Sequence, residues 1–123
     1  MHSSSCALGF VLSLSALVIP GCHKDHRSPD TTVAAPGAVI PVTADERGFT
    51  PAAVETQQGS KLTLRFTRTT DATCADKVVF PEAGIEKDLP LNKPVDIDVP
   101  TGKPRTLGFQ CGMGMFKASV LVR

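Results

Sequence analysis

Past residue 26 the sequence contains no histidine: the three it has are His2, His23 and His26. That absence removes a Ser-His-Asp triad from everything downstream and denies any metal there an imidazole ligand. Cysteine is scarce too. The four cysteines, at positions 6, 22, 74 and 111, include no Cys-x-x-Cys pair, which argues against a thiol-disulfide oxidoreductase. Thirteen Lys+Arg against 12 Asp+Glu leave a net charge of +1 with no basic cluster, so nucleic acid is set aside as a partner. No Gly-rich phosphate loop and no internal repeat is present. The longest apolar run, Ala7 to Ile19, is broken only by Ser13 and Ser15 and is too short to span a bilayer as a mature helix. Ten prolines, with turn signals roughly every ten residues between short strand-like segments, leave no room for a helix of any length.

What the N-terminus does contain fits export. An apolar core of that length suits a signal peptide, and it runs into Val18-Ile19-Pro20-Gly21-Cys22, a small residue followed by cysteine. This resembles the lipobox of bacterial lipoproteins, which implies removal of residues 1–21 and lipidation of Cys22 as the first residue of the mature chain. The resemblance departs at Pro20 and in the absence of Lys or Arg from residues 1–5. A chain exported this way is expected to be anchored in the cell envelope, facing the periplasm or the exterior. Residues 22–37 are polar and proline-punctuated and are expected to form a flexible tether. His23 and His26, at an i, i+3 spacing within it, are read as solvated side chains rather than ligands.

The domain is expected over residues 38–123, as short strands split by turn residues. Leu62, Leu64 and Phe66 alternate with Thr63, Arg65 and Thr67, and Val95, Ile97 and Val99 alternate with Asp96 and Asp98, so both segments have one buried and one wet face. Val39 to Val42 reads as a strand whose Pro41 argues for an edge or a bulge. Gly48 to Pro51 reads as a turn, Ala53 to Gln57 as a strand, Asp76 to Pro81 as a short buried strand and Ile85 to Leu89 as a weaker one. Leu107 and Phe109 share a side, and Ala118 to Val122 ends the chain. Seven or eight such strands predict an all-β, Greek-key β-sandwich, with Phe49, Phe66, Phe80, Phe109 and Phe116 as its large core members.

One stretch stands apart from this patterning: Phe109-Gln110-Cys111-Gly112-Met113-Gly114-Met115-Phe116. A thiol and two thioethers fall at every second position, separated by glycines that let the backbone turn tightly. Soft sulfur donors favour Cu(I) over harder divalent ions. The plainer alternative is a disulfide-bonded cysteine with two methionines filling core gaps, but core fillers have no use for a glycine on each side. Extending the Leu107–Phe109 alternation puts Cys111 on the core side at the strand's end. With Cys6 in the removed segment and Cys22 lipidated, Cys74 and Cys111 are the two thiols of the domain, either bonded to each other or held at a metal.

The order Gly48-Phe49-Thr50-Pro51, Gly59 to Phe66, a ligand-type residue before Val78-Val79-Phe80, Gly102, and the Cys-Gly-Met-Gly-Met ending resembles the cupredoxins, across essentially all of residues 38–123. It is similar above all to cupredoxin-like domains that bacteria attach to copper-transporting ATPases or export as small periplasmic proteins. The resemblance implies that the loop cysteine meets a second residue at one pole of the barrel, and by its place in the order that residue is Cys74. A blue copper site uses two histidines, a cysteine and a weak axial methionine. Here Cys74 stands where the first histidine would be and Met113 or Met115 replaces the second, so the implied metal ligands are Cys74, Cys111, Met113 and Met115, holding copper as Cu(I). Asp76, a hard donor, is read as a bystander. The function so implied is an extracytoplasmic, monomeric, non-enzymatic Cu(I)-binding protein for trafficking, buffering or resistance, with a copper transporter or chaperone as partner. The alternatives are a copper-free interaction module with a Cys74–Cys111 disulfide, or an electron-transfer cupredoxin with a His-free site.

Overall fold

The computed structural model describes residues 30–123; the leader 1–21, Cys22, His23 and His26 lie outside the described residues. Ten strands form two sheets among them: β1 (Thr31–Val33), β2 (Val39–Asp45), β3 (Gly48–Thr50), β4 (Ala53–Thr56), β5 (Leu62–Arg68), β6 (Lys77–Phe80), β7 (Ile85–Asp88), β8 (Val95–Val99), β9 (Arg105–Cys111) and β10 (Lys117–Val122). The larger sheet has the order β1-β4-β10-β9-β6-β7 and the smaller β3-β2-β5-β8. Helix among the described residues is confined to one 3-10 turn, Pro81–Ala83.

Alternation builds the sandwich as the sequence predicts. On β5, Leu62, Leu64 and Phe66 are buried while Arg65 points to water. The outer face then pairs across strands: Arg65 donates to both carboxylate oxygens of Asp96 at 2.8 and 3.0 Å, and the Thr63 hydroxyl, on a residue that is buried rather than wet, donates to Asp98 at 2.7 Å. On β9, Leu107, Phe109 and Cys111 all face inward. Between the sheets the phenylalanines form one cluster around Phe109, whose ring centroid lies 5.3 Å from Phe49, 5.5 Å from Phe66 and 5.1 Å from Phe80. Four of the cluster's five close pairs meet edge to face at 61° or more, the geometry favoured by the ring quadrupole, and Phe80 stacks on Phe109 at 28°. Phe116 is half-buried at the margin, its ring against Gly48.

Four local expectations change. The stretch read as tether to residue 37 contains β1, which runs parallel to β4 with Thr31 opposite Ala53, and Ala34 just after it is buried. A three-residue strand of Thr-Thr-Val has too little pattern to show in sequence, because its partner β4 supplies the hydrogen bonds. Gly48–Thr50 is a strand rather than a turn; the reversal sits at Glu46-Arg47, where Arg47 donates from its amide and guanidinium to Asp45. Strands therefore number ten rather than seven or eight. Lys77–Phe80 alternates between buried and half-buried instead of being buried throughout. Pro41 lies in the half of β2 that β3 does not reach, since β3 pairs only Thr43 to Asp45, so the missing N–H falls on a free edge.

Strand direction defines two ends. β9 runs toward Cys111, β10 starts beside it with Lys117 opposite Gln110, and β6 starts there too with Val78 opposite Cys111. The segment linking β5 to β6, which carries Cys74, crosses between the sheets at that same end. Gln58, Lys61 and Gly102 mark the other.

Burial of adjacent residues on β5 predicts opposite mutational costs. Phe66→Ala removes a fully buried ring and is expected to lower the unfolding free energy by about 3–5 kcal/mol. Arg65→Ala, which loses a half-exposed ion pair, should cost within ~1 kcal/mol. Urea denaturation of the two variants beside the parent chain measures both.

Candidate metal centre

The turn after β9 is built by hydrogen bonds to Cys111 itself. Gly114 donates its N–H to the Cys111 carbonyl at 2.9 Å, and Cys111 donates its own to Phe116 at 3.1 Å. Gly114 has φ +71°, a conformation that costs a side-chain-bearing residue energy and glycine little. Gly112 answers a different need: a Cβ there would stand 2.7 and 2.8 Å from Cγ and Cδ of Lys77, whose stem lies against the turn while its ammonium is fixed to Glu86 at 2.7 Å. The glycine on each side of Met113 thus suits this turn, Gly114 through its backbone conformation and Gly112 by leaving room for the Lys77 stem, which a side chain there would push aside.

This curl wraps backbone N–H groups around a sulfur. Phe116 donates to Cys111 Sγ at 3.4 Å, and the N–H groups of Met115 and Met113 also point to it. Cys111 is wholly buried, and burial by itself would push its thiol up. The Phe116 N–H, the Cys74 thiol and the N–H groups of Met115 and Met113 together outweigh burial, so its pKa lies below the ordinary thiol value.

Cys74 arrives from the other direction. It sits in the loop after β5 rather than on a strand, fixed by its neighbours: the Thr73 hydroxyl donates to the Asp45 carbonyl at 2.8 Å and accepts the Ala75 N–H at 3.1 Å, Ala75 is buried, and the Asp76 carbonyl accepts the Leu89 N–H at 2.7 Å. Cys74 Sγ then lies 3.6 Å from Cys111 Sγ, both cysteines being free thiols. Burial, followed by the hydrogen bond to Cys111 and the charge there, pushes the Cys74 thiol up, and Asp76 adds to this as a nearby negative charge.

The pair suits a soft ion. Two metal–sulfur bonds of ~2.3 Å, the length seen for zinc thiolates, reach across a sulfur–sulfur gap of up to about 4.6 Å. Among the described residues no group of three or more His, Cys, Asp or Glu could hold a metal, so a site at this end depends on sulfur. The methionines complete the set only in part: the backbones of Met113 and Met115 adjoin Cys111 Sγ, while their side chains are 74% and 69% exposed. Sequence patterning finds the four sulfur-bearing residues but not the N–H groups around Cys111 or the Lys77 stem beside Gly112. Only the alternating glycines hint at so tight a turn.

The cupredoxin-like domain model matches residues 9–122. The chain belongs to the cupredoxin-like domain family. Its fold is accordingly that of a cupredoxin, with both thiols at one end of the sandwich. No curated protein matches the chain. Among solved structures, this cupredoxin is similar to the metal-binding domain of CopA, a Cu(I)-exporting P-type ATPase of Streptococcus pneumoniae, solved with Cu(I): TM-score 0.71, 26% identity, covering 79% of this chain and 99% of that one. A copper-binding protein solved by NMR in its apo form matches with TM-score 0.68 and 23% identity, over 76% of this chain and 97% of that one. The periplasmic domain of cytochrome oxidase subunit II of Bradyrhizobium japonicum shares the fold at TM-score 0.55 and 11% identity, over 75% and 91% of the two chains. Among the described residues of this cupredoxin no helix is long and apolar enough to cross a membrane.

The opposed shifts of the two thiols predict a two-step titration. Followed by ultraviolet thiolate absorbance in the reduced, metal-free protein, the first ionisation should fall below the ordinary thiol value and the second above it, with Cys111→Ser removing the first step. A single step at the ordinary value for both thiols would contradict the N–H cradle.

Proposed function

We propose that this cupredoxin is an extracytoplasmic Cu(I)-binding protein that holds the ion between Cys74 and Cys111 with thioether help from Met113 or Met115, and that its role is copper trafficking, buffering or resistance rather than catalysis. The observation that carries the reading is the 3.6 Å approach of two free thiols, one of them cradled by three backbone N–H groups. The cradle favours a thiolate, the form in which cysteine binds metal. Soft donors then select Cu(I), and the want of imidazole at this end works against the copper(II) state that a blue site visits. The similarity to an ATPase metal-binding domain solved with Cu(I) agrees with this choice. The exposed thioethers have a use of their own: an ion partly ringed by solvent-facing donors can pass to another sulfur ligand without the domain opening. Export and lipidation at Cys22 place the protein on the outer side of a membrane, where a copper transporter or chaperone would be its partner.

A second reading uses the same proximity. Oxidation would join the two sulfurs in a disulfide, giving a copper-free state of the same sandwich and a loop closure worth about 2–4 kcal/mol.

Anaerobic titration against a Cu(I) chelator tests the first reading. The reduced protein is expected to take up about one tightly held ion through its soft donors, without an intense visible band. Cys111→Ser should abolish this uptake, and the double substitution Met113→Leu, Met115→Leu should weaken it by about tenfold, or ~1.4 kcal/mol. Uptake unchanged in Cys111→Ser would overturn the assignment.

A further inference from the structure

The sequence has three methionines, and the two beyond the leader, Met113 and Met115, both stand on the turn after β9. A methionine in a small sandwich ordinarily fills a gap in the core. Here neither belongs to the hydrophobic core, and both side chains are largely exposed to solvent. The cysteines beside them are better covered: Cys111 is wholly buried and Cys74 half-buried. The sulfur at this end is therefore layered, with thioethers outside and thiols within. A reagent that attacks sulfur from solvent meets the thioethers first.

We infer that Met113 and Met115 are a modification site for two-electron oxidants, hypochlorous acid or hydrogen peroxide, and that their conversion to sulfoxides weakens Cu(I) loading of the empty centre without unfolding the domain. The effect on copper rests on the proposed function; the modification itself does not. In the reaction each thioether sulfur gives up an electron pair and takes one oxygen, while hypochlorous acid leaves as chloride and a proton, or hydrogen peroxide as water. The soft donor becomes a polar group whose oxygen is a hard donor, poorly matched to Cu(I). Methionine oxidation ordinarily damages a protein by putting that polar group into a core. At these two positions it goes into water. The turn itself is held by the backbone hydrogen bonds of Cys111 and by the conformation of Gly114, not by the thioethers, so the fold has no reason to open. A thioether bound to an ion has a lone pair committed and is a poorer nucleophile, so the oxidant acts on the empty centre and keeps it from loading. The thiols have a separate, reversible route: a sulfenic acid formed on Cys74 has the Cys111 sulfur 3.6 Å away and condenses with it to a disulfide, releasing water. Sulfoxide reductases, one for each epimer, return the thioethers.

Limited oxidation of the whole chain, reduced and metal-free, tests this. The protein is treated with a small excess of hypochlorite, quenched, and reduced with a dithiol, which recovers a disulfide but leaves a sulfoxide in place. Peptide mass spectrometry is expected to find one oxygen on Met113 and one on Met115, with Cys74 and Cys111 recovered as thiols. The urea midpoint of the oxidised protein should match that of the untreated chain. Its Cu(I) affinity in the chelator titration should fall about tenfold, as in the double substitution Met113→Leu, Met115→Leu, and return on treatment with both sulfoxide reductases. The affinity of the double variant, already weakened, should not move on oxidation. Cys111 oxidised to sulfinic or sulfonic acid while the methionines stay intact overturns the site. Full Cu(I) affinity with both sulfoxides present overturns the effect on loading, as does a lowered urea midpoint. An untreated chain that takes up no Cu(I) overturns the copper reading and the effect on loading with it, and the masses alone then decide the modification.

Discussion

The two-residue period of β9 is the constraint on which the centre depends. It puts Phe109 among the rings of Phe49, Phe66 and Phe80, and two positions later it must put Cys111 on the same inward side at the strand's last residue. A slip of one residue would turn Gln110 inward and Cys111 to solvent, while also taking Phe109 out of the aromatic cluster. The core therefore guards the position of the thiol: the ring cluster's burial energy is what enforces the register. Cys74 has no such guarantee from strand pairing. Its loop is held instead by the Thr73 hydroxyl and by Ala75, buried against the sandwich, so the two halves of the pair are positioned by different physics and meet only because the sheets pack.

Near-identical side chains then acquire opposite acidities from their surroundings. Cys111 ends a strand whose following turn has N–H groups with no ladder to join, and those groups face the sulfur. Cys74 has burial with only its own backbone N–H to offset it, and Cys111 and Asp76 beside it both push its thiol further up. One site of the pair is thus prepared for charge while the other resists it, which spares the sandwich the cost of two adjacent thiolates in the absence of an ion.

Much of this was legible in the sequence, and what was not has definable causes. Alternation revealed β5, β8 and β9 because each has one wet face, and Cys111's inward direction came from the same parity. β1 escaped because three residues carry no period and its partner β4 lies 22 positions downstream in parallel, Thr31 opposite Ala53. Gly48–Thr50 read as a turn from its glycine and proline, although the reversal belongs to Glu46-Arg47, where a side chain rather than a glycine closes it. The sulfur motif named Cys111, Met113 and Met115 and the family resemblance named Cys74, yet neither could say that the methionine side chains face outward while their amides face Cys111. Sequence spacing is blind to that distinction, since it depends on Gly114 adopting a positive φ and on the Lys77 stem filling the space beside Gly112.

The same geometry weighs metal against disulfide. At 3.6 Å the sulfurs are about 1.5 Å beyond the ~2.05 Å of a covalent S–S bond, so closure requires the two side chains to turn toward each other or their backbones to shift. Movement of Cys111 is resisted by the hydrogen bonds at 2.9 and 3.1 Å that fix its backbone in the turn, and movement of Cys74 by the Thr73 and Asp76 contacts on either side. A disulfide sulfur is also neutral, so closure would deprive three N–H groups of the charge they face, whereas a metal-bound thiolate keeps much of it. Oxidation thus gains a covalent bond but forfeits the electrostatics that the turn is shaped to supply. A soft cation placed between the two sulfurs keeps both.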